Sequence, residues 1–144
     1  MYDRRYFSKI PQKLPGLYAL YDGHNGKKCI YVGKSDKNLG RRVVHHLVDR
    51  NSSVTTGTAG ASINIENLTM VRWWTSEFFS DKIFLDAAEA YFFQQLEPML
   101  RSRGNRIKGS DELLNDEGFI KIVDEILSKP SGKIELLSYG KLLL

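Results

Sequence analysis

The chain has 144 residues, 42% of them hydrophobic, which suffices for one packed domain and leaves little room for a second. No apolar run approaches the ~20 residues of a spanning helix, and the opening MYDRRYFSKIPQ has no signal-peptide core, so a cytoplasmic protein without a membrane partner is expected. The net charge is a modest +4, and the single cysteine, Cys29, excludes an intrachain disulfide and a cysteine-built zinc site.

Residues 16–22, GLYALYD, alternate and are rich in aromatics, so they predict a strand. Gly23-His24-Asn25-Gly26 follows as a turn, and Cys29 to Gly33 predicts a second strand, making the pair a hairpin with His24 at its tip. Residues 39–50 read as a helix, with Leu39, Val43 and Leu47 in one stripe widened by Val44 and Val48. The small, polar segment 51–62 predicts a surface loop. Residues 67–75 predict a third strand, on which Trp73 and Trp74 point to opposite faces, one in the core and the other exposed or at an interface. Ser80 is placed to cap a long helix running to about Glu97 and closed by Pro98. After a basic loop, 99–109, Ser110-Asp111 opens a helical region to about Ser128, which Pro130 breaks. The tail 131–144 has no clear periodicity.

The expected fold is therefore a small α/β domain with a three-stranded, largely antiparallel sheet flanked by helices. Residues 1–110 form the main domain, and 111–144 a helical extension packed on it.

Charge is unevenly distributed. Residues 1–50 carry 11 basic and 4 acidic side chains, and 98–110 carry 4 basic and none acidic. Two basic blocks separated in sequence suit one phosphate-binding face.

Successive helical residues rotate by about 100°. In 39–50 this sets Arg42 and His46 side by side at an edge of the apolar stripe, with Arg41, His45 and Asp49 pointing away. Arg42 offers a planar fork of donors suited to phosphate, although a border residue whose stem lies on the core edge has the same pattern. In 80–97 the stripe of Leu85, Ala88, Phe92, Phe93 and Leu96 contains Glu89 in its middle, while Asp86 and Glu97 fall on the polar side. A carboxylate within an apolar stripe needs a partner. An ion pair with Arg42 or Arg72, a metal ion, and a place at a cleft edge all meet that need.

Together Tyr18, Tyr31, Arg42, His46 and Glu89 resemble the landmarks of the GIY-YIG nuclease superfamily over roughly residues 14–108. Gly16-Leu17-Tyr18 and Tyr31-Val32-Gly33 stand for the two name-giving tripeptides. The resemblance selects Arg42 as the catalytic arginine of the following helix, with His46 four residues on. Glu89 and Pro98 keep the family's nine-residue spacing from metal-binding glutamate to proline. The chain departs from the pattern at Arg101, where the family often has asparagine; Asn105 lies nearby.

The resemblance implies a metal-dependent endonuclease acting on nucleic acid, duplex DNA foremost, in restriction, repair or mobile-element biology. It implies Tyr18 as general base, helped by a cation because free phenol has a pKa of about 10. It further implies Arg42 on the non-bridging oxygens, Tyr31 orienting water or phosphate, His46 supporting phosphate or proton transfer, and Glu89 holding one Mg²⁺ or Mn²⁺. Expected backbone contacts come from Lys34, Arg42, Arg101, Arg103, Arg106 and Lys108, with Arg101 recruited to phosphate. One active site per chain implies a homodimer, or two nicks, for a double-strand cut. The competing readings are a non-catalytic nucleic-acid-binding module derived from such a nuclease, and a protein-interaction domain.

Overall fold

The first predicted strand forms as β1, Gly16–Asp22, and pairs antiparallel on one side with β2, Lys28–Ser35, and on the other with β3, Leu68–Trp74. A computed structural model describes residues 3–23, 28–49, 67–100 and 106–136. The turn tip with His24, the 51–62 loop, and Arg101, Arg103 and Asn105 lie outside these described residues.

A fourth strand corrects the expected three. β4, Gly132–Glu135, pairs antiparallel with residues 70–73 and gives the order β2-β1-β3-β4. The segment expected to be a helical extension thus ends inside the sheet. Its four residues include one buried apolar side chain, Ile134, too short a run for any periodicity. Gly132 is what lets β4 reach its place, since a Cβ there would sit 2.3 Å from the Trp73 ring.

Each face of the sheet carries its own core. On one, Leu39, Val43 and Leu47 of α1, Leu39–Leu47, pack on Tyr18, Leu20, Val71 and Trp73. On the other, α2, Lys82–Leu96, and α4, Glu117–Ser128, cover Leu17, Ala19 and Trp74 with Phe92 and Phe119. The two tryptophans do face opposite ways, but neither is exposed: each sits in one of the two cores, and Trp74 Nε1 donates to the Leu127 carbonyl.

Local signals set the helix ends with small corrections. Asn38 caps α1, accepting from the Arg41 N–H, and the helix stops at Leu47, three residues before the expected end. Asp81, not Ser80, caps α2, because Ser80 completes a 3-10 turn, Glu77–Ser80. Its carboxylate accepts from both Ile83 and Phe84 N–H. The helix ends at Glu97, left-handed at φ 46°, directly before Pro98. The region 110–128 is two helices, α3, Ser110–Leu113, and α4, the latter restarted by the Asp116 cap.

β2 carries a bulge. Leu20 opposes Tyr31 while Tyr21 opposes Cys29, so Ile30 is extra, and Ile30 and Tyr31 both join the core beneath α1. The Cys29 and Ile30 carbonyls accept from the N–H groups of Met99 and Leu100, just past the proline. The bulge thereby re-aims Tyr31 and ties the end of α2 to the strand.

Candidate active site

Tyr18 lies opposite Gly33 across the β1–β2 pair. A Cβ on Gly33 would fall 2.6 Å from the Tyr18 ring, so the missing side chain is what lets the phenol lie across β2. At its far end the Tyr18 hydroxyl meets His46 Nδ1 at 2.7 Å. The Tyr31 ring meets the same imidazole at near right angles, 4.8 Å between centroids, and lies 6.1 Å from the Tyr18 ring. Two strands and one helix thus bring three polar rings together, because α1 docks with His46 turned inward.

Arg42, one turn earlier on α1, acts on both tyrosine hydroxyls by hydrogen bonding and by charge. The field of Glu89 on α2 reaches the same two hydroxyls. The five residues singled out in the sequence therefore converge from β1, β2, α1 and α2. Tyr18 and His46 have no exposed surface and Tyr31 is 8% exposed, whereas Arg42 and Glu89 are half-buried and form the open side.

Burial sets the protonation states. It pushes the Tyr18 phenol well above its ordinary value, the Tyr31 and Glu89 charges push the same way, and Arg42 opposes them. Tyr31 is likewise raised by burial and by Glu89 against Arg42. His46 is driven down to about 3, first by burial and then by the Arg42 charge. It is neutral at neutral pH, and its Nε2 is buried with no hydrogen-bond partner in the protein.

Asp86 corrects the sequence reading, which set it on the polar side of α2. It is 1% exposed. The helix is buried around most of its circumference, so it has no broad polar side for a carboxylate to occupy. One Asp86 oxygen accepts from Lys34 Nζ at 2.8 Å, and the other accepts from the Ile107 N–H at 3.1 Å and lies 3.5 Å from Arg106 Nε. Arg106 also donates to Ser110 and Asp111. Burial raises the Asp86 carboxyl, but the bonds from Lys34, Ser110 and Ile107 outweigh it and hold the pKa below the usual carboxylate value. Lys34 and Arg106, expected on a phosphate backbone, are therefore engaged with Asp86. Lys108 is exposed. The signal for this clasp was present as a carboxylate three residues before Glu89, but its partners lie 52 and about 20 residues away.

Residues 14–103 match the family model of the GIY-YIG catalytic domain. The chain belongs to the GIY-YIG nuclease superfamily. The GIY-YIG match spans β1 to the end of α2 and so contains all five converging residues, while Arg106, Ile107, α3, α4 and β4 lie beyond it. No curated protein matches the chain. Among the described residues no helix is long and apolar enough to cross a membrane, and none of the His, Cys, Asp and Glu side chains form a group of three or more fit for a metal ion.

Proposed function

We propose that this chain is an endonuclease that hydrolyses phosphodiester bonds of nucleic acid, duplex DNA foremost, with one divalent ion. The observation that carries the reading is the convergence of Tyr18, Tyr31, Arg42 and Glu89, from four separate elements, on one half-open spot.

The donor set fits a weakly held, hydrated ion. Glu89 is the carboxylate whose field reaches both hydroxyls, and Asp86, one turn earlier, is committed to Lys34 and Ile107. A single carboxylate, with water and phosphate oxygens completing the shell, suits Mg²⁺, and Mn²⁺ in its place. When bound there, such an ion supplies neutralising charge at the leaving oxygen.

The chain's own groups do the rest. Arg42 grips the non-bridging oxygens with its fork of donors and offsets the charge that grows on them. Tyr31 orients water or phosphate through its hydroxyl. Tyr18 accepts a proton from the attacking water while its own proton passes to His46 Nδ1, 2.7 Å away. His46 acts through Tyr18 and is a positioning residue. Arg42 is one of the two causes of its weak basicity, and a phosphate bound to Arg42 offsets that share.

A second reading, a nucleic-acid-binding module without catalysis, is favoured by one observation: Tyr18 has no exposed surface, and a base must meet its water. Supercoiled plasmid incubated with Mg²⁺, Mn²⁺ or EDTA separates the two. Nicking with either metal and none with EDTA is expected, with direct appearance of linear product pointing to two chains acting together. Glu89→Ala should abolish cutting and keep binding, since removing a carboxylate lessens repulsion of phosphate. Tyr18→Phe should slow single-turnover cleavage by about 10²–10⁴-fold, the ordinary worth of an acid–base group. Cutting by Glu89→Ala at the wild-type rate would refute the metal assignment, and binding without cutting in every metal would establish the second reading.

A further inference from the structure

With Lys34 and Arg106 engaged by Asp86, the described part of the molecule must grip a nucleic-acid backbone with other cations. They are found behind α1. A cleft of about 460 Å³ opens between that helix and the 3-10 turn Arg4–Phe7, lined by Arg4, Arg5, Arg41, His45 and Gln12. Phe7 and Val44 form its apolar floor.

The cleft is built by close approach. The Gly40 N–H donates to the Pro11 carbonyl and the Leu39 N–H to the Leu14 carbonyl, seating the start of α1 on the preceding segment. A Cβ at Gly40 would lie 2.8 Å from the Ile10 carbonyl oxygen and 3.0 Å from that of Pro11, so only glycine allows this seat. The next residue, Arg41, is thereby carried beside Arg4 and Arg5. Arg41 makes no ion pair with any described residue. Arg4 pairs with Asp49, which also stands 3.8 Å from His45, and Arg5 pairs with Asp3 at 2.8 Å. Three guanidiniums thus face two carboxylates, leaving a net positive cleft whose donors are already oriented. All of these pairs are on the surface, where an incoming phosphate exchanges with a carboxylate at little cost.

We propose that this cleft is a second phosphate site, which holds the backbone of the nucleic acid whose scissile phosphate lies at Arg42. The inference rests on the nuclease reading and adds a binding surface to it. Arg41 and His45 each immediately precede a member of the active site, Arg42 and His46, so the two sites lie on adjacent flanks of one helix. A helix with its side chains is ~10–12 Å across, and one strand of duplex advances about 3.4 Å per nucleotide. The cleft therefore takes a phosphate about three nucleotides from the bond that is cut.

The test measures affinity against salt for short duplexes of DNA and of RNA, using Glu89→Ala as the non-cutting parent. Arg41→Ala and the double variant Arg5→Ala/Arg41→Ala are compared with Lys129→Ala, an exposed control on the far side of the sheet. Every arginine taken away from a bound phosphate should lower the slope of log affinity against log salt by about 0.9. One such step is expected for Arg41→Ala and two for the double variant, with no change in Lys129→Ala. A parent that binds with a steep slope, alongside a double variant with the same slope and affinity, overturns the cleft and leaves the nuclease reading intact. A parent that binds neither duplex at any salt overturns both.

Discussion

His46 has lost its ordinary basicity because α1 turns it into the core beside Arg42. Its pKa falls from 6.5 to about 3 on folding, so below pH 6.5 the unfolded chain takes up a proton that the native protein refuses. Stability from this group is therefore fully present above about pH 6.5 and is lost as pH falls toward 3. The slope across that window approaches one proton, or about 1.4 kcal/mol per pH unit. Urea midpoints measured at pH 7 and pH 5 should show the loss, and His46→Gln, which keeps an acceptor for the Tyr18 hydroxyl but does not titrate, should flatten it. An equal fall in both proteins would place the sensitivity elsewhere. The Asp86 carboxyl, lowered below its ordinary 3.8, adds its own loss only as pH falls below that value, so the two are separable.

At the scale of elements, α2 is held to β2 from two directions. The Asp86–Lys34 pair joins the first half of the helix to the strand, and the Met99 and Leu100 N–H groups join its end to the bulge carbonyls. Glu89 lies between these two ties, three residues after Asp86, while Gly33, the residue before Lys34, lies under the Tyr18 ring. The clasp thus sets the spacing between the carboxylate and the two tyrosines. Asp86→Ala leaves two cations without their buried partner. Breaking a buried pair costs ~3–5 kcal/mol, and the lower end is expected here because Lys34 and Arg106 keep 28% and 22% of their side-chain surface in water. A shift in the urea midpoint with an unchanged slope is the measurement, and no shift would mean that the clasp carries no stability.

For the whole molecule, the residues beyond the family match complete the fold. Arg106 and Ile107 satisfy Asp86, Phe119 of α4 packs edge-on against Phe84 at 4.9 Å, and β4 covers the open side of β3. Ending the chain at residue 105 would strip a buried carboxylate of two partners, bare one core and leave Val71 and Trp73 at a sheet edge. The truncated protein should lack a cooperative urea transition and bind a dye for exposed apolar surface. A two-state transition near that of the full chain would show the 14–103 region to be sufficient alone.

Most of the elements were legible in the sequence because their causes are local. Alternation in 16–22, the Leu39, Val43, Leu47 stripe and the Pro98 stop each depend on residues within a turn or two. The five converging residues were legible for a different reason, a motif whose order and spacing the chain keeps. What local pattern could not carry is β4, with one buried side chain and a partner strand some 60 residues earlier. The same holds for the fate of charge. Asp86 and Glu89 sit three residues apart on one helix, yet the first is sealed against Lys34 and Arg106 and the second stands at the open side. Arg41 and Arg42 adjoin in sequence but line different sites. Whether a charged side chain is buried, paired or available depends on which distant elements cross it, and only the tertiary structure decides that.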